Sequence, residues 1–330
     1  MSEHLFKDYL ISRGFTGEAI DKEIGVVNAM EEILQKEVPF WTLNDLDRSS
    51  LQVFVDTLID RGKNTPENLS ALLRYSKAIN NKTMFNILFE MLDGCEAMEN
   101  LFNRLADCVG DELRDTIFEG LPLPPLGLSK KEKARYTFRI IRRMEEVFEE
   151  RFSRELLADS LRDLPDAYFA EAKTDFYETC QGNMDEYLRL KGQKFLETLY
   201  EHQQHGELFF GQEITDDVIN FVKSNPEIGG GVREGNLVYE TKIPFNTTAY
   251  LEEKDPVHKC YHYCHCPWVK ESIRQCNLTV PATFCQCSAG FHKKPYEVIY
   301  EQKLHAEVLQ SVLKGDPVCR FAIYLPEQQK

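Results

Sequence analysis

The sequence predicts a mixed α+β protein, with a large all-helical N-terminal part followed by a smaller α/β C-terminal domain that contains an antiparallel hairpin. Apolar residues recur at three- and four-residue spacing through the first 224 positions, the run Asn225 to Asn236 (NPEIGGGVREGN) breaks that pattern, and β-branched and aromatic residues alternate after it. The expected organisation is a helical domain at 1–224 with a subdivision at 120–129, a linker at 225–236 and a cysteine-rich domain at 237–330.

In chain order, Ser49 with Gln52 reads as a capping box, and Leu51, Phe54, Val55, Leu58 and Ile59 keep helical spacing until Gly62. Thr65 before Pro66 is a cap followed by a proline at the first helical position, opening a helix that carries Leu69, Leu72 and Leu73. Met98, Leu101, Phe102, Leu105 and Val109 form another apolar stripe, and all of these stripes are read as core. The segment Gly120 to Ser129 (GLPLPPLGLS) has too many prolines and glycines for regular helix. It is expected to lie extended across a packed surface or to join two helical subdomains. Ser129 with Glu132 opens the next helix, whose Lys130, Lys131, Lys133, Arg135, Arg139, Arg142 and Arg143 alternate with Phe138, Ile141, Met144 and Phe148. Acidic residues 145, 146, 149 and 150 follow, so this basic run reads as a solvated or salt-bridged face rather than a nucleic-acid surface. Further helices are expected over 165–180, 183–203 and 215–224, the last capped by Thr215 and stopped at Asn225-Pro226.

Leu237 to Ile243 reads as a strand that ends before Pro244. Residues 258–266, taken as extended, would place Cys260, His262, Cys264 and Cys266 on one face. A short helix is expected from Pro267 through Ile273, a second strand from Val280 to Cys287, and a turn and helix over Ser288 to Tyr300. Leu304 to Leu313 and Val318 to Leu325 read as two strands joined by the turn Lys-Gly-Asp-Pro at 314–317.

A length of 330 residues with 42% hydrophobic content supports real cores. Of the net charge of −15, residues 236–330 carry 11 Lys and Arg against 10 Asp and Glu, leaving 28 against 44 in residues 1–235. So acidic a larger part repels phosphate backbones and argues against broad nucleic-acid binding. The opening Met-Ser-Glu-His lacks a secretory pattern and no apolar run is long enough to span a bilayer, so the expected location is cytoplasmic, without membrane contact. In that reducing compartment ten cysteines are metal ligands, redox thiols or small buried residues rather than disulfides.

Seven cysteines lie between 260 and 319, at 260, 264, 266, 276, 285, 287 and 319. Cys264 with Cys266 and Cys285 with Cys287 form two C-x-C pairs, and four thiolates suit tetrahedral zinc or an iron-sulfur centre. The pairs need a sharper local bend than the usual C-x2-C knuckle, or an extended strand whose alternate residues both turn toward the ion. Two other readings stand beside this one. Cys276, Cys319 and some of the paired cysteines are plain buried residues, or Cys285 or Cys287 has its pKa lowered by a helix starting near Ser288. His262 and His265 are further candidate ligands or bases, against packed or exposed side chains without a chemical role.

The run from Cys264 to Pro326, with CHCPWVKES, PATFCQCSAGF and VLKGDPVCRFAIYLP, resembles an uncharacterised bacterial family related to the L-2-amino-thiazoline-4-carboxylic acid hydrolase-like proteins. It is also similar to the wider class of 4-vinyl reductase small-molecule-binding domains, through a strand, a Gly-Asp turn and a last strand, here Gly315, Asp316, Cys319 and Phe321. The helices between about 45 and 92 resemble the SAM-like core-binding domain of phage integrases, with no Arg, His and Tyr recombinase set after them. The 4-vinyl reductase resemblance implies a small ligand in an α/β pocket, a homodimer, and late cysteines holding structural zinc. Cys319 matches one such cysteine, whereas Ser311 stands where the other would be.

The expectation is therefore a small-molecule-binding or sensing protein with a metal held by Cys264, Cys266, Cys285 and Cys287, zinc first and an iron-sulfur centre as alternative. A metal- or thiol-dependent hydrolase-type enzyme is the second reading. A DNA-associated regulator is the third.

Overall fold

The computed structural model describes residues 2–159, 161–162, 164–275 and 278–327. The protein is α+β, with helices filling the N-terminal part and, among the described residues, one four-stranded antiparallel sheet formed by C-terminal segments. Among the described residues no helix is long and apolar enough to cross a membrane.

Two compact units emerge from the contacts, one of Met1–Cys95 with Pro124–Glu132 and one of Glu96–Leu123 with Lys133–Lys330. The expected boundary at 225–236 lies inside the second unit, and residues 96–123 and 133–224 cluster with the cysteine-rich segment. The cause is a shared core, in which Met98, Leu101, Ile140, Ile141 and Met144 pack in one cluster with Tyr263, Cys264, Trp268, Phe284 and Val312.

The first unit is helical, and local signals set its elements. Helix Arg48–Asp60 buries Leu51, Phe54, Val55 and Leu58, with Asp47 rather than Ser49 as its cap and Ser50 rather than Gln52 closing the capping box. Helix Pro66–Ala78 starts as expected, Thr65 accepting from the Asn68 amide at 3.3 Å. The proline-rich segment carries no helix, and Gly127 shows why a glycine is there. Its φ of +91° disfavours other residues, and an added Cβ would lie 2.6 Å from Val55 Cγ1.

In the second unit, the strands are β1 (Val232–Glu234), β2 (Leu237–Thr241), β3 (His305–Gln310) and β4 (Arg320–Tyr324), in the order β1-β2-β4-β3. The expected linker thus holds β1, joined to β2 through Gly235 at a φ of +64° and Asn236. The β3–β4 hairpin forms as expected, with a connection that includes the 3-10 turn Val312–Lys314. Helices Met184–His205 and Asp216–Lys223 also match expectation, the latter capped by Thr215.

Two strand expectations are overturned. Residues 258–263 of the expected extended run 258–266 are helical instead: helix Pro256–Tyr263 is capped by Asp255, which accepts from the His258 amide at 2.9 Å, with Pro256 at the first position. This is the cap-then-proline signal that marks Thr65-Pro66, and it outweighs the alternation of tyrosine, histidine and cysteine. Residues 280–287 are not a strand either, because the 3-10 turn Ala282–Cys285 leads directly into helix Gln286–Tyr300. The helix expected from Pro267 is reduced to the 3-10 turn Lys270–Arg274.

Candidate functional site

Both C-x-C pairs sit at helix ends, which supply the bend their spacing requires. Cys264 follows helix Pro256–Tyr263, and Cys266 begins the next turn, its carbonyl accepting from the Lys270 amide at 3.0 Å. Cys285 immediately precedes helix Gln286–Tyr300 and Cys287 lies in its first turn. Cys319 stands just before β4, where its carbonyl accepts from the Lys242 amide at 3.1 Å and joins it to the continuation of β2.

All four predicted cysteines, together with Cys319, line one small cavity of about 60 Å³. Its polar wall is completed by Lys242, His265, Ser288, Gln310 and Ser311, and its apolar wall includes Phe284, Val308 and Phe321. Ser311 donates to Cys285 Sγ at 3.2 Å, so the serine standing where the resemblance implies a cysteine is itself part of the wall. The Leu161 amide donates to Cys287 Sγ at 3.3 Å. Cys260 is buried outside the cavity with Sγ 3.5 Å from the Asp316 carbonyl, and Cys276 lies outside the described residues.

The thiols are neutral. Burial raises Cys264 and Cys287 above the usual thiol range and pushes Cys285 up to about 12. Cys266 is raised well above that range by burial and by repulsion from Cys264, Cys287 and Cys285. This overturns the expected activation of Cys285 or Cys287, because desolvation outweighs the first turn of the helix. Among the described residues no three His, Cys, Asp or Glu side chains stand in the arrangement that holds a metal ion. The fold therefore collects the donor set in one cavity without drawing it into a coordination shell. The donors are soft and the volume suits an ion better than an organic ligand.

Of the candidate histidines, His265 lines the cavity and His262 does not. His265 Nε2 donates to the Ile243 carbonyl at 2.6 Å, and burial, reinforced by Lys242, holds the imidazole neutral with a pKa of about 3. His262 lies on helix Pro256–Tyr263, 3.9 Å from Glu253 Oε2.

Sequence reasoning missed the polar network behind the cavity. Glu240 of β2 is buried, and its carboxylate is bonded by Lys191, by Tyr296 Oη at 2.6 Å and by His292 Nδ1 at 2.6 Å. Burial alone would raise this carboxyl, but the Lys191 ammonium and the His292 hydrogen bond outweigh it and hold the pKa at about 2. Two residues on, just past the end of β2, Lys242 donates to Ser288 Oγ at 2.8 Å. Ser288, His292 and Tyr296 follow one another at four-residue spacing on helix Gln286–Tyr300. The available signal was a charged pair at alternate positions of an otherwise apolar strand, facing that spacing.

A second depression is an open groove of about 920 Å³, lined by residues that include Asp166, Lys173, Tyr177, Lys294 and Glu301. Its lysines are engaged in ion pairs, Lys173 with Glu301 and Lys294 with Asp166 at 2.6 Å.

Comparison with curated proteins and with solved structures finds no match for this chain. Residues 241–330 match one family model, described as a family of unknown function (DUF6144), and that stretch contains every residue lining the thiol cavity.

Proposed function

We propose that the C-terminal part of this protein is a thiol-based binding and sensing module that takes up a soft metal ion, zinc first, through Cys264, Cys266, Cys285 and Cys287. The observation that carries this reading is the convergence of these four thiols and Cys319 on one cavity of about 60 Å³. Neutral thiols that line a space with spare volume can lose their protons and move inward to complete a tetrathiolate shell. Lys242 supports the same reading, since four thiolates around a divalent cation carry net negative charge and this ammonium stands in the wall that would face it.

The test is elemental analysis with an absorbance spectrum on protein purified without oxygen, together with Cys264→Ser and Cys287→Ser. About one zinc, or one chromophoric iron-sulfur centre, per chain, lost in both variants, is the expected result. Folded, stable, metal-free wild type that takes up no added zinc would overturn the proposal. The raised thiol pKa values do not favour a cysteine nucleophile at neutral pH.

A further inference from the structure

Lys242 brings a positive charge to the cavity wall without a counter-ion. Its Nζ is partly buried and donates to Ser288 Oγ at 2.8 Å, and among the described residues no carboxylate pairs with it. The rest of the wall is made of thiols, hydroxyls, an amide, an imidazole and apolar groups. Two carboxylates bonded close behind the wall are held elsewhere: Glu240 by Lys191, Tyr296 and His292, and Asp316 by the Ser311 amide at 2.8 Å. Neither lines the cavity. A charge taken out of water persists at low cost only beside a partner, and the wall offers this ammonium a hydroxyl alone.

Other groups add to the same positive field. Lys242 acts on Cys264, Cys285, Cys287 and Cys319 alike, favouring the ionised form of each thiol against burial. Lys270 does the same at Cys264, and Arg162 and Arg104 do so at Cys287, all three from outside the wall. Helix Gln286–Tyr300 begins at the cavity, with Cys287 and Ser288 in its first turn, so the positive end of its dipole acts in the same sense.

We propose that this cavity is a site for a small monovalent anion of the halide type, bound by the Lys242 ammonium and the Ser288 hydroxyl. The inference concerns the metal-free cavity and goes beyond the metal reading above, on which it does not rest. Ser288 accepts from Lys242, which leaves its own proton free to donate to the anion. The S–H groups are weak donors, and Phe284, Val308 and Phe321 are apolar. Such a lining suits an anion with little hydration to lose and disfavours a divalent oxyanion, whose desolvation costs far more. The size agrees as well. One water needs about 10–15 Å³ of such space, so about 60 Å³ admits a monatomic ion.

The experiment uses bromide as the probe on the metal-free full chain. Bromide NMR at constant ionic strength reads binding as excess line broadening. Wild type should broaden the line, and Lys242→Met should bind bromide about 10- to 100-fold more weakly. Lys173→Met, which alters the open groove instead, should match wild type. Equal broadening by wild type and Lys242→Met would place the anion on the surface and overturn the inference. Anomalous diffraction from wild-type crystals grown in bromide guards against a variant that fails to fold. Bromide within hydrogen-bonding reach of Lys242 Nζ is the expected result, and a cavity that holds only water overturns the proposal. A thiolate seen by ultraviolet absorbance at neutral pH in halide-free protein overturns it too, because the counter-ion is then a cysteine.

Discussion

Two polar clusters lie two residues apart, one around Glu240 on β2 and one around Lys242 just past its end, and they are built on opposite principles. Around Glu240 the charge is buried and its partners are in place: an ammonium, a phenol and an imidazole converge on one carboxylate. Around Lys242 the side chains are uncharged thiols and hydroxyls that enclose empty volume. A buried charge persists only where its partners are already assembled, whereas neutral thiols are tolerated unpaired because they pack as small apolar groups. The first cluster is therefore committed to the folded state, and the second is free to change.

The sharpest way to break this contrast is to remove the carboxylate. Glu240→Ala leaves Lys191, Tyr296 and His292 facing a hole and should cost about 3–5 kcal/mol of unfolding free energy, read from urea denaturation. A loss under about 1 kcal/mol would mean that the network is wetter or looser than its burial implies. Tyr296→Phe removes one hydrogen bond to that carboxylate without altering packing, and should cost about 1.5–3 kcal/mol.

Acid titration probes the same contrast without mutation. Glu240 and His292 both have folded pKa values below their ordinary ones, so the folded state binds fewer protons than the unfolded chain and stability falls as pH drops. The His292 contribution is lost as pH falls from about 6.5, and that of Glu240 between about 4.5 and about 2. Denaturant midpoints measured against pH should show this decline, flattened below about 4.5 in Glu240→Gln. An unchanged slope in that variant would assign the acid limb to other carboxylates.

On the thiol side, Cys266→Ala in metal-free protein removes one atom from a wall that already borders a void, so its cost should stay near about 1 kcal/mol. A cost as large as that of Glu240→Ala would erase the distinction between the clusters. The smallest effect belongs to the first unit, where Thr65→Ala removes a helix cap and should cost about 1 kcal/mol by the same measurement.

Much of the fold was legible because its signals are local. Thr65-Pro66 and Thr215 announce helices through contacts three residues away, and the alternation in β3 and β4 with Gly315 between them announces the hairpin. Where two local patterns compete, reading fails. Alternating cysteine and tyrosine over 258–266 suggested a strand, although Asp255-Pro256 just before it carries the stronger helical instruction. The four candidate cysteines were legible as a set because their side chains are chemically distinctive and close in sequence.

The sequence by itself determined the helical N-terminal part, the terminal hairpin and the concentration of thiols near the C-terminus, since each depends on residue type and short-range spacing. Tertiary structure alone decided that those thiols share one cavity and are neutral, that Cys287 meets the Leu161 amide across 126 positions, and that Glu240 gathers Lys191 and His292. Burial and charge are set by which distant segments meet, and neither is encoded in the neighbours of a residue along the chain.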